Sequence, residues 1–136
     1  MNKPECKVGA DGDKSWYLND KLHREDRSAV EHANGDKEWY LNGKWHREDG
    51  PAIEYANGGK EWYSNGKCHR EDGPAVEFAN GNKFWYLNDK YHREDGPAIE
   101  YADGRTYYWI NGKHIPQLDN KHIYGKENLQ KFLLLI

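Results

Sequence analysis

Lys37-Glu38-Trp39-Tyr40-Leu41-Asn42-Gly43-Lys44-Trp45-His46-Arg47-Glu48-Asp49-Gly50-Pro51-Ala52-Ile53-Glu54-Tyr55-Ala56-Asn57-Gly58-Gly59 is followed at once by a near copy of itself, Lys60–Asn82. Only five of the 23 positions differ: Leu41/Ser64, Trp45/Cys68, Ile53/Val76, Tyr55/Phe78 and Gly59/Asn82. The beat extends in both directions. Trp16, Trp39, Trp62 and Trp85 fall 23 residues apart with Tyr108 in step, and so do His23, His46, His69 and His92. A period of this length marks stacked copies of a small unit that cannot bury its apolar face alone. Repetition also argues against catalysis, which needs one asymmetric constellation rather than the same residues in every copy.

Within a copy, Lys60-Glu61-Trp62-Tyr63 is rich in strand formers, and Pro74-Ala75-Val76-Glu77-Phe78 alternates in character. Asn-Gly is the strongest two-residue hairpin signal, because both residues accept positive φ. Taking Asn57-Gly58 as that turn pairs Tyr55 with Lys60, Glu54 with Glu61 and Ile53 with Trp62. Alternation then predicts a core face of Ile53, Tyr55 and Trp62 and a solvated face of Glu54, Glu61 and Tyr63. In the neighbouring copies Val30/Trp39 and Val76/Phe78/Trp85 join the core face. This reading gives two strands per repeat, with a tighter Asn65-Gly66 hairpin and three short strands as the alternative.

The expected fold is mainly β: an elongated antiparallel sheet of stacked 23-residue hairpins, advancing about 10 Å per copy, with a short C-terminal helix. Residues 1–13 lead in, residues 14–113 hold five repeats with degenerate first and last copies, and residues 114–136 form the C-terminal segment. There Leu129, Phe132, Leu133 and Ile136 make a helical i, i+3, i+4, i+7 stripe. Three turns are marginal alone, so the stripe should cap the open core face, or dock on a second copy and so make a homodimer.

Composition fits a folded domain rather than a disordered chain. Charged residues reach 32% and hydrophobic ones only 36%, yet 6 Trp, 10 Tyr and 3 Phe supply periodic burial. The net charge of −3 comes from alternating acids and bases, with no basic stripe for nucleic acid. No stretch approaches a membrane span. Cys6 and Cys68 sit at non-equivalent positions, so no disulfide framework follows the repeat. The cytoplasm is the expected compartment.

The unit resembles the variant MORN-type repeat, a 23-residue β-hairpin module, in Trp39-Tyr40-Leu41-Asn42-Gly43-Lys44, His46, Gly50 and Tyr55-Ala56-Asn57-Gly58. The likeness covers roughly Lys14 to Lys113. His-Arg-Glu-Asp-Gly-Pro-Ala replaces the shorter glycine-rich segment of the commonest form, a variant found in bacteria, their phages and large DNA viruses. The resemblance implies a β-repeat scaffold for protein or lipid-head-group contacts and carries over no catalytic residue. A weaker likeness to aromatic cell-wall repeats is opposed by their usual length and exported setting.

His46-Arg47-Glu48-Asp49 and its copies read as structural loops rather than metal sites, because loops about 10 Å apart cannot share an ion bound at about 2 Å. No nucleophile–base pair and no phosphate-binding glycine loop stands out, and no cofactor is expected. Invariant positions serve the fold that every copy needs, whereas variable ones are free to serve one partner. Trp45, Phe84, Tyr91 and Tyr107 are large aromatics at variable positions, the kind that anchor interfaces. Tyr40, Tyr63 and Tyr86 form a ladder that could grip the same partner. The expected function is therefore non-enzymatic protein–protein binding. A phage origin would make a host defence protein the target. The alternatives are small-ligand or cell-wall carbohydrate binding along the ladder, and a virion or scaffold role.

Overall fold

The turn chemistry decides the register. In the computed structural model, which describes residues 3–136, two different turns alternate along the chain. Asn42-Gly43 has φ of 52° and 79° and closes the two-residue hairpin Tyr40–Leu41/Lys44–Trp45. Both residues are left-handed, as a type I′ turn requires. At Asn57-Gly58 only Gly58 has positive φ, at 97°. There Gly58 N–H reaches Tyr55 O and Tyr55 N–H reaches Gly59 O, each at 2.9 Å. That is a three-residue loop with a glycine bulge.

This wider loop corrects the expected pairing by one residue. Ile53 faces Glu61 and Glu54 faces Lys60. A one-residue slip moves a strand's side chains to the opposite face. Ile53, Tyr55, Glu61 and Tyr63 therefore share one face, while Trp62 falls on the other with Glu54 and Lys60. Trp39 follows the same rule, its N–H bonded to Ala52 O at 2.7 Å beside the Ile53–Glu38 pair. The tryptophans are half-buried, not the core expected with Val30, Ile53 and Val76.

Each complete repeat carries four two-residue strands instead of two. The chain divides into two compact units, one ending at Lys67 and one spanning Cys68–Ile136. In the first, Glu5–Val8, Lys14–Leu18, Val30–Glu31, Lys37–Glu38, Ile53–Glu54 and Lys60–Glu61 follow one another as an antiparallel sheet in chain order. In the second, Val76–Glu77, Lys83–Phe84, Ile99–Glu100 and Thr106–Tyr107 do the same. The Tyr86–Leu87/Lys90–Tyr91 and Trp109–Ile110/Lys113–His114 pairs make the second unit's tight hairpins. The fold is thus an antiparallel stack of hairpin repeats ending in one helix. On the tryptophan face glutamate and lysine alternate across the strands: Glu31 opposite Lys37, Lys37 opposite Glu54, and Glu54 opposite Lys60. Opposite charges directly across a pair support the register.

The tail closes the last repeat. Asn120 pairs with Thr106 like a strand residue, donating its N–H to Thr106 O at 2.9 Å and accepting Thr106 N–H on its side chain at 2.8 Å. Tyr108, on the tryptophan beat, is fully buried with Leu118, Ile123 and Leu129, and Ile115 and Leu133 pack alongside. Helix Lys126–Leu133 buries Leu129 as expected. Phe132 and Ile136 do not dock: they are 45% and 56% exposed, and Ile136 lies beyond the end of the helix, where the stripe cannot continue.

The Tyr108 hydroxyl accepts Ile123 N–H at 2.6 Å and donates to Ile123 O at 3.2 Å. Tyr108→Phe leaves both groups buried and unpaired and should lower unfolding free energy by about 1–3 kcal/mol. Urea denaturation checks this, and an unchanged midpoint would mean that the tail does not close the fold in this way.

Candidate functional site

The His-Arg-Glu-Asp loop builds contacts between copies. Nδ1 of His23, His46, His69 and His92 accepts the amide N–H of Asn42, Asn65, Asn88 and Asn111 at 2.9–3.1 Å, always 19 residues on. An accepting Nδ1 places the ring proton on Nε2, which faces Glu25, Glu48, Glu71 and Glu94 at 3.4–3.7 Å. Each imidazole thus holds the type I′ turn of the following copy.

The arginine stitches its own loop. Arg47 donates Nε–H to Asp49 and Nη1–H to Pro51 O, both at 3.1 Å, and its guanidinium lies 3.9 Å from the Trp39 ring centroid. Arg93 repeats this on Trp85 at 3.9 Å and Arg24 on Trp16 at 3.8 Å. A Cβ at Gly50 would sit 2.9 Å from Arg47 Cζ, so the loop glycine makes room for the guanidinium. Arg27 occupies that place in the first copy, where the Arg24–Asp26 contact lengthens to 3.6 Å. The loop thus ties its own indole and the next copy together. Among the described residues, no group of three or more His, Cys, Asp or Glu side chains gathers as metal ligands would.

The sheet face carrying Ile53 presents the candidate binding residues. In the first unit Trp45 packs between Tyr40 and Tyr63, with ring centroids 5.7 and 4.9 Å away. In the second, Tyr86 stacks on Tyr91 at 4.4 Å, Tyr91 meets Trp109 at 5.2 Å, and Trp109 stacks on His114 at 5.0 Å. Beside this row, Phe78, Phe84, Tyr101 and Tyr107 meet edge to face at 5.5–5.9 Å. Phe84 joins the rows through Tyr91 at 6.3 Å. The structure therefore brings Tyr40, Trp45 and Tyr63 together in one unit and Phe84, Tyr86, Tyr91 and Tyr107 in the other. The tyrosine ladder lies on the Ile53 face, not on the opposite face that the two-residue turn implied.

Sequence reasoning missed two carboxylates. Glu38 Oε1 accepts Trp45 Nε1–H at 2.9 Å and the Tyr40 hydroxyl at 3.0 Å. Glu61 likewise takes the Tyr55 and Tyr63 hydroxyls. Burial, followed by the Glu38 charge, pushes the Tyr40 phenol well above its usual range. In later copies the same position is Phe84 and Tyr107, so the face turns from carboxylate-braced to wholly aromatic along the chain.

His32 stands where other copies have Tyr55, Phe78 and Tyr101. Its Nε2 meets Glu38 and its Nδ1 lies 3.0 Å from Asp13. The bond to Glu38, followed by the bond to Asp13, raises the imidazole's pKa. The Ala33 N–H, followed by His32, holds the Asp13 carboxyl below the usual range. The departure of His32 from the repeat was visible in the sequence, whereas its two carboxylates were not.

No protein-family model and no curated protein matches the chain.

A raised folded-state pKa means that the stability His32 contributes is fully present below its unfolded value, about 6.5. It is lost as pH rises through the higher folded value. Melting temperature should therefore fall as pH rises from about 6.5 toward 8, and His32→Phe should flatten that slope. An identical pH profile in the variant would show that the imidazole is not held between two carboxylates.

Proposed function

We propose that this chain is a non-enzymatic MORN-like repeat protein that binds a partner protein through the aromatic side of its sheet. The observation that supports this most is the grouping of half-exposed rings at positions that vary between copies. Scaffold needs do not account for it, since the invariant loop residues already join the copies. Large aromatics supply contact area at low entropic cost, and interface energy concentrates in such anchors. The rings pack on one another at centroid distances down to 4.4 Å. Rings that pack on one another leave less open face for a sugar to stack on, which favours a protein surface.

The His-Arg-Glu-Asp-Gly-Pro-Ala form supports a bacterial or phage setting. In that setting the partner is a host defence protein in the cytoplasm and binding inhibits it. Two cysteines that form no disulfide agree with a reducing compartment. Among the described residues no helix is long and apolar enough to cross a membrane.

The test is affinity purification from host lysate followed by affinity measurement with variants shown to be folded. Trp45→Ala and Tyr91→Ala should each cost about 2 kcal/mol, roughly thirtyfold in Kd. Normal binding by both, with binding lost in a folded Arg47→Ala variant, would move the working surface to the loops.

A further inference from the structure

On the tryptophan face, neighbouring loops enclose grooves. One, of about 580 Å³, lies between loops Arg24–Ser28 and His46–Asp49, with Trp39 and Leu41 as its floor. A second, of about 610 Å³, lies between loops Arg70–Gly73 and His92–Asp95, with Trp85 and Leu87 as its floor and Lys126 at its margin. The charges of these loops are segregated by depth. Arg70 and Arg93 are tucked in, with side chains 23% and 15% exposed, whereas Glu71 and Asp72 project at 83% and 86%. The groove walls thus show carboxylates outward although the chain's net charge is only −3.

We propose that the Trp85 groove is a binding site for a lysine or arginine side chain borne on an extended segment of a partner protein. Three observations favour that occupant. The indole floor suits a cation, as Arg93 over one face of Trp85 at 3.9 Å already demonstrates. Glu71, 83% exposed, supplies outward negative charge on the facing wall, beside Asp72, which Arg70 holds at 3.0 Å. At the margin Lys126 Nζ lies 3.2 Å from Glu94 Oε2, so a lysine already engages the opposite wall. The Trp39 groove is an internal comparison. It has the same kind of floor and paired acids, with Arg27, Glu31 and Lys37 added to its lining and no counterpart of Lys126. This inference does not rest on the aromatic face, which lies on the other side of the sheet.

The experiment titrates the intact protein with the acetylated, amidated pentapeptide Gly-Arg-Gly-Lys-Gly, following the indole N–H resonances of Trp39 and Trp85. Trp85 should shift saturably. Glu71→Gln should weaken the Trp85 response at least threefold and leave Trp39 unchanged. Glu127→Gln, on the capping helix, should change neither. Equal response to a peptide with citrulline and acetyl-lysine in place of arginine and lysine would overturn the proposal. So would equal weakening by Glu71→Gln and Glu127→Gln, or no saturable shift at Trp85.

Discussion

Imidazole acceptance of the next copy's amide is the constraint on which the repeat depends. Each type I′ turn must hold two left-handed residues, and its first amide points back toward the preceding loop. Histidine Nδ1 meets that amide at 3.0 Å in the His46–Asn65 pair. The bond ties the turn of one copy to the loop before it, a net contribution of about 0.5–1.5 kcal/mol per copy. The bond also sets the spacing of copies, since donor and acceptor are always 19 residues apart. The arginine beside it completes the loop by clasping a carboxylate, a carbonyl and an indole at once. Replacing it by lysine would lose this planar fork.

Much of this was legible in the sequence. The 23-residue period, the antiparallel hairpins and the C-terminal helix all follow from residue pattern. The register did not, because Asn-Gly occurs twice per repeat and only one of the two is a type I′ turn. A signal was present nonetheless. The hairpin turn accepts Asp20 or Asp89 where other copies have Gly43, Gly66 and Gly112, and those aspartates have φ of 64° and 67°. The other turn always has glycine, Gly12, Gly35, Gly58, Gly81 and Gly104, at φ of 92–101°. That range lies beyond the left-handed region that asparagine and aspartate tolerate. Substitution within the chain therefore distinguishes the two turns, and with them the faces.

The corrected faces give each unit two surfaces of different chemistry. One pairs buried Val30, Ile53, Val76 and Ile99 with a cover of aromatic rings. Early in the chain carboxylates brace those rings, whereas later ones rest on each other. This gradient was hard to read beforehand because Glu38 and Glu61 look like solvent residues until their partners are known. The other surface sets tryptophan and arginine beneath projecting acids. Its charge separation arises because each arginine is held down by its own loop while glutamate and aspartate are left at the rim. Variation between copies is thus concentrated on the first surface, and uniformity on the second.

The account rests on His46 Nδ1 accepting the Asn65 amide, and scalar coupling across that hydrogen bond measures this directly. With uniformly nitrogen-15-labelled protein at neutral pH, a nitrogen–nitrogen coupling should connect the Asn65 amide to His46 Nδ1, with the imidazole proton on Nε2. An imidazole found with its proton on Nδ1, and no coupling to Asn65, would contradict the mechanism by which one copy builds the next.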